Sequence, residues 1–274
     1  MSTANQKQVP AHTGIAINHA ESHENKIHSD EVAAKLGFEG ALVPGVTVFG
    51  LTSIALTKQY GGDWLEGSTI HTRFLKPAYH DDTLDVFLTS SAEQSEARCH
   101  NKNGTLLCTL QMQTGTEAPE FHQHNFDLNA QPIASERVNR NEVSWNVINE
   151  GAPFPVRPWH PGAEENAKFA HEVQDDHIVF TDKGAGLVHP HFILSQANQA
   201  LVDEFEMPAW IHVGSEIRTH HALKQSTNYR VFAKPVCKWR NKGHEFITLY
   251  IVYENHGEAY TEIFHTAIYR IAGL

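Results

Sequence analysis

Two histidines and an asparagine in one polar loop, His23, Asn25 and His28, stand shortly upstream of Leu42-Val43-Pro44-Gly45 and a largely apolar stretch. Imidazole binds and releases protons near neutral pH, so histidines in such a loop can move a proton. Gly45 opens the apolar stretch, and the free N–H groups at a helix start favour an anionic or carbonyl oxygen. A loop of this kind beside a buried helix N-terminus can polarise a carbonyl and move a proton. Each residue also has a plainer reading. His28 can have its ring tied to backbone, Asn25 can merely hold the loop, and Ser53 on the apolar stretch is either an orienting hydroxyl or a small residue where a strand comes close. Glu21 and Glu24 flank His23 as alternative carboxylates or as solvated charges.

The run Ser22-His23-Glu24-Asn25-Lys26-Ile27-His28-Ser29-Asp30, followed by Gly37-Phe38 and Val43-Pro44-Gly45, resembles the MaoC-like, (R)-specific enoyl-CoA hydratase family. Its motif reads Gly-Asp-x-Asn-Pro-x-His-x-Asp, then Gly-Phe, then a His-Gly that opens the central helix. Asn25, His28, Asp30, Gly37, Phe38 and Gly45 match, and Ser53 falls where the family has a serine. Ser22 stands for the glycine, His23 for the catalytic aspartate, Lys26 for the proline and Pro44 for the histidine before Gly45. The resemblance implies an α+β tandem (double) hot-dog, two central helices each wrapped by an antiparallel sheet. It also implies a hydro-lyase acting at the 2,3 double bond of an acyl thioester, with coenzyme A thioester as substrate and no retained cofactor. Carried over, His28 is the base or proton relay, the Gly45 N–H receives charge on the thioester oxygen, Asn25 and Ser53 orient their neighbours, and His23 takes the aspartate's place. Two other readings stay open: a hot-dog acyl-CoA thioesterase, although residues 45–60 hold no Asp or Glu, and a non-catalytic acyl-thioester binder.

Ser29 or Asp30 can cap a helix over roughly residues 31–36, which Gly37 ends. The stretch 46–60 is apolar on most faces, which predicts a helix buried all round. Alternating stretches at about 67–76, 83–92, 95–102 and 105–115 predict an antiparallel meander, with Asn103-Gly104 as a hairpin turn. A second helix starting at Leu187-Val188-His189-Pro190 and strands near 211–222, 227–239, 244–254 and 258–271 repeat that order, a fused duplication with the two sheets joined edge to edge. The expected division is a first domain at 1–117, a linker at 118–140 and a second domain at 141–274. Upstream of Leu187, residues 171–177 do not reproduce the Asn25 to His28 spacing, so one site per chain is expected, in the first half. The proline-rich segment 150–165 reads as a lid or an exposed loop.

Over 274 residues, 41% are hydrophobic and 19% charged, an ordinary globular balance. A net charge of -11 argues against a nucleic-acid partner, since phosphate binding draws on clustered Lys and Arg. Arg73, Lys76, Arg218 and Arg230 are scattered candidates for coenzyme A phosphates, or a solvated face. Cys99, Cys108 and Cys237 form neither a disulfide framework nor a Cys-x-x-Cys pair. Twenty histidines invite a metal hypothesis, but no His-Glu-x-x-His helix or knuckle is present and no metal is expected. Without an apolar run long enough to cross a bilayer, the expected setting is cytoplasmic, with no membrane partner and a homo-oligomer left open.

Overall fold

The computed structural model describes residues 9–115, 126–127 and 140–273. The first half opens with β1 (His12–Ala16) and α1 (Asp30–Lys35) and continues into α2 (Gly45–Tyr60). Every residue of α2 from Val46 to Thr57 is buried, as its lack of a polar face requires. Gly61, at φ 63°, ends the helix and gives its N–H to the Thr57 carbonyl. The strands β2 (Ser68–Phe74), β3 (Asp82–Ser90), β4 (Gln94–Asn101) and β5 (Leu106–Thr114) follow within a residue or two of the expected meander. At the Asn103-Gly104 turn the Asn101 side chain accepts the N–H groups of Asn103 and Thr105 at 3.1 and 3.0 Å.

The second half contains β6 (Asn141–Glu142), β7 (Arg157–Trp159), α3 (Ala163–Glu172), α4 (Pro190–Glu204), β8 (Phe205–Glu206), β9 (Ile211–Thr219), β10 (Tyr229–Asn241), β11 (His244–Asn255) and β12 (Glu258–Arg270). Among the described residues, ten strands form one sheet in the order β1-β3-β4-β5-β2-β9-β12-β11-β10-β7. The halves meet where β2 pairs with β9, Ile70 opposite Ile217 and Thr72 opposite Ser215. Each half thus covers the edge that the other would expose. The tandem hot-dog expected from the motif is the architecture found.

One apolar cluster runs through both halves, from Val48 and Leu51 on α2 to Leu194 and Ala197 on α4. The helices approach closely at Gly50, where an added Cβ would lie 2.8 Å from the His191 Cβ and 2.9 Å from a Val173 methyl. Segment 150–165 departs from the lid reading: it carries edge strand β7 and the start of α3. Pro158 is tolerated because an edge strand needs no N–H on its outer side. Trp159 anchors the segment against Phe192, Tyr229 and Tyr253, with ring centroids 5.4, 5.7 and 5.0 Å away. The expected linker and domain boundary lie outside the described residues, apart from Phe126, Asp127 and Arg140.

Candidate functional site

Asn25 is the cap of a short 3-10 turn, Lys26–His28, and its amide is fully engaged. Its Oδ1 accepts from the N–H of Ile27 at 3.4 Å and of Trp210 at 3.1 Å, while Nδ2 donates to the Trp210 carbonyl at 3.0 Å. The motif loop of the first half is therefore fastened to the start of β9 in the second. The other Nδ2 hydrogen faces His28 Nε2 at 3.3 Å.

His28 is buried, and its Nδ1 lies 2.7 Å from the Leu42 carbonyl oxygen. A carbonyl only accepts, so Nδ1 carries the hydrogen and Nε2 keeps the lone pair. Burial pushes the pKa of this ring down to about 4 against the opposing pull of the Leu42 carbonyl, with the nearby His23 adding to the depression. His28 is thus in its base form throughout the neutral range. Asp30 begins α1 and accepts the Ala41 N–H at 2.7 Å, a role in holding the turn before α2. His23 is exposed, and its Nδ1 accepts the Asn25 N–H at 3.4 Å.

His23, Asn25 and His28 line one cavity of about 300 Å³, which opens between the motif loop, the first turns of α2 and the helices α3 and α4. That volume is at the lower end for a small-molecule site. Gly45, the first residue of α2, borders a smaller cavity of about 40 Å³ that also has His28 and Asn25 in its wall. The N–H groups of a helix's first turn have no partner four residues earlier, so this end presents donors beside His28. Ser53 is fully buried and donates to the Gly50 carbonyl at 2.7 Å; it is not in the wall of either cavity.

The second half contributes groups that the motif did not indicate. Glu172, at the end of α3, enters the larger cavity half-buried, and burial raises its carboxyl pKa. Its Oε2 lies 3.9 Å from Nδ1 of His191, itself buried with Nδ1 3.1 Å from the Phe169 carbonyl oxygen and Nε2 3.3 Å from the Thr47 hydroxyl. Among the described residues, no group of three or more His, Cys, Asp or Glu is arranged to hold a metal ion.

The motif loop has a counterpart that spacing alone concealed. His177 caps a second 3-10 turn, Ile178–Phe180, as Asn25 caps the first. The carboxylate of Asp175 accepts the His177 N–H at 3.0 Å, as the ring of His23 accepts that of Asn25. Asp175 is therefore the counterpart of His23, and Phe180 that of His28. Asp175 also faces Nε2 of His189 at 3.2 Å, with both side chains buried. His189 occupies the counterpart of Pro44 and caps α4, its Nδ1 accepting the His191 N–H at 3.1 Å. Both ring nitrogens are thereby used in closing the helix start. The sequence signal was the shared two-residue step from His23 to Asn25 and from Asp175 to His177, hidden because His177 does a cap's work usually done by Asn.

No protein-family model and no curated protein sequence matches the chain. Solved structures do match over almost its whole length. A MaoC domain dehydratase from Chloroflexus aurantiacus is 12% identical with a TM-score of 0.57, covering 98% of this chain and 99% of that one. A Mycobacterium tuberculosis protein described as a double hot-dog is 13% identical with a TM-score of 0.59, covering 94% of each chain. An oleoyl thioesterase from Lactobacillus plantarum is 11% identical with a TM-score of 0.52, covering 96% and 98%. What the chain shares with all three is its architecture, the double hot-dog fold.

Proposed function

We propose that the protein is a hydro-lyase that adds or removes water at the 2,3 double bond of an acyl thioester, with coenzyme A as the carrier and the cytoplasm as the setting. The observation that carries this reading is His28: a buried, neutral imidazole with Nδ1–H given to a backbone carbonyl, its Nε2 lone pair bordering the cavities and the start of α2 beside it. In the hydration direction, Nε2 takes a proton from water as the oxygen bonds to C3. Charge that gathers on the thioester oxygen is met by the first-turn N–H of Gly45. The proton then passes from His28 to C2, and no charge remains on the protein. Asn25 holds the loop on Trp210, and its Nδ2–H, 3.3 Å from the same Nε2 lone pair, gives that lone pair up to the water when the base acts. The MaoC dehydratase among the matched structures supports the same chemistry.

Loss of enoyl-thioester absorbance with a short and a long trans-2-enoyl-CoA tests this reading. Turnover that vanishes in His28→Ala is the expected result; an inactive natural chain that binds the thioester would leave a retained pocket with no hydro-lyase function.

Glu172 favours a second reading, thioester hydrolysis. A half-buried carboxylate whose charged form is disfavoured is a candidate general base, and a thioesterase shares the fold. Release of free coenzyme A from a saturated acyl-CoA, lost in Glu172→Gln and kept in His28→Ala, would select it.

A further inference from the structure

The smaller cavity, about 40 Å³, has room for a water and the tip of a thioester carbonyl, while an acyl chain needs the larger cavity that shares Pro44 and His28 with it. Its wall includes His28 and Gly45 from the first half and His212 from the second. Alternation along a strand would send His212 and Ser215 to opposite faces. A bulge in the β9–β12 pairing, where Gly214 faces Thr266 and His212 faces Ala267, takes up the extra residue and leaves both side chains buried. Bulges commonly re-aim a side chain in this way beside a site. Gly214 itself abuts the other half, since an added Cβ would lie 2.7 Å from the Thr72 carbonyl oxygen.

His212 is then locked from one side. Its Nε2 lies 2.9 Å from the Ser215 hydroxyl, which lies 3.0 Å from His265 Nδ1, and the two rings stack with centroids 4.1 Å apart. A hydroxyl has one hydrogen to give, so the chain runs in one direction or the other. His212 Nδ1 accordingly presents either a lone pair or an N–H. This nitrogen is buried with no hydrogen bond of normal geometry, although the Gly214 backbone draws on the ring, and it faces the start of α2, 3.5 Å from where a Gly45 Cβ would stand. A buried polar atom left unpaired in this way is uncommon and calls for an occupant.

The counterpart positions argue the same way. The run Gly214-Ser215-Glu216-Ile217 aligns with Gly67-Ser68-Thr69-Ile70, and in that alignment Ile217 faces Ile263 as Ile70 faces Met112. With the bulged Val213 set aside, His212 therefore corresponds to Glu66, and His265 to Thr114. The half-site that has Phe180 instead of His28 thus has an exposed Glu66, bonded to the Ala222 N–H, instead of His212. The histidine pair accompanies the retained base and is not demanded by the fold.

We propose that His212 is the second protein contact of the reacting water, held between it and His28 under the first turn of α2, and that Ser215 and His265 position its ring. The polar partner that the family obtains from an aspartate on the motif loop is supplied here across the seam between the halves. This inference rests on the hydro-lyase reading.

The test is turnover of trans-2-butenoyl-CoA by the full chain and its variants. His212→Phe keeps a ring of similar size and should lower kcat by about 100-fold with KM nearly unchanged, the size of effect usual for an acid–base partner. Ser215→Ala should lower kcat by a smaller factor and change the ring-nitrogen NMR signals of His212. An inactive natural chain defeats the underlying reading and this proposal with it. A natural chain that depends on His28, with His212→Phe within threefold of it in kcat, overturns this proposal alone. Should His212→Phe fail to fold, the natural chain decides: 3-hydroxybutanoyl-CoA should shift the His212 Nδ1 resonance, and an unmoved resonance overturns the proposal.

Discussion

His23 is the residue at which the loop departs most from the resemblance, and its counterpart supplies the experiment. Asp175 accepts a backbone N–H two residues on at 3.0 Å with its carboxylate. An aspartate at position 23 can accept the Asn25 N–H in the same manner and place a carboxylate near His28. His23→Asp is therefore expected to fold as stably as the natural chain, with thermal midpoints within about 2 °C, since exposed substitutions usually stay within half a kcal/mol. Hydratase turnover should rise by tenfold or more, because a carboxylate stabilises the imidazolium formed at His28; a fall in turnover would mean that the site now works without a carboxylate at that position. Burial of other histidines sets the acid behaviour. The pKa is pushed down to about 4 for His28 and to about 3 for His191 and His265, all by burial first. Between the ordinary value of 6.5 and these values the unfolded chain binds protons that the native chain does not. Stability is therefore full above pH 6.5 and is lost as pH falls toward 4 and 3, by about 1.4 kcal/mol per unit for each such histidine. Denaturant melts at pH 7.5, 6 and 5 should show midpoints that fall steadily, and His191→Gln should make that slope shallower. At this scale, the polar loop and its resemblance to a known motif pointed to His23, Asn25 and His28. It did not reveal Glu172 or His212, because one lies at a helix end far along the chain and the other faces inward only through a bulge.

The elements that carry the site were mostly legible, since their patterns are strong and local. A helix apolar on every side has to be central, and Asn-Gly between alternating stretches has to turn. The misses were short pieces governed by tertiary context. The strand β7 holds a proline and exists because β10 offers it an edge, and α3 follows so closely on the prolines of segment 150–165 that its onset was absorbed into a loop. Ser53 was placed on the correct helix, but its hydroxyl bonds back to its own backbone, a common fate of serine inside a helix. The packing of α2 against the second half makes a further prediction. Gly50→Ala would put a methyl 2.8 Å from His191 Cβ and 2.9 Å from Val173, with no flexible side-chain end to yield. Overpacking of this kind costs about 1–3 kcal/mol. Thermal melting should show a loss of several degrees, and an unchanged midpoint would mean that the two helices part more easily than their contact implies.

At the scale of the molecule, the order of helices and strands announced a duplication, while the asymmetry between its halves was visible only in space. Both halves have the capped 3-10 turn, a backbone hydrogen bond just before the central helix (Val43 N–H to the Ala78 carbonyl, Val188 N–H to the Leu223 carbonyl) and the seam strand. The first has His28 at the position proposed for the base, and the second has an aspartate that holds the capping His189. Phe180 stands at the position of His28, Glu66 at that of His212, and Asp175 and His189 satisfy each other out of reach of either cavity beside His28. Neither half holds a complete set, and the retained site draws Trp210, His212 and Glu172 from the second half to complete the first. One acyl thioester per chain is therefore the expected stoichiometry. Calorimetric titration of the full chain with a saturated acyl-CoA should saturate at one equivalent. His28→Ala should not lower that number, because the base acts on water and the cavity walls remain. Phe180→His should not raise it, because the added imidazole would face Asp175 and His189 in a closed core. Two equivalents in the natural chain would show that the second half retains a pocket of its own, and that the loss of its histidine altered chemistry and not binding.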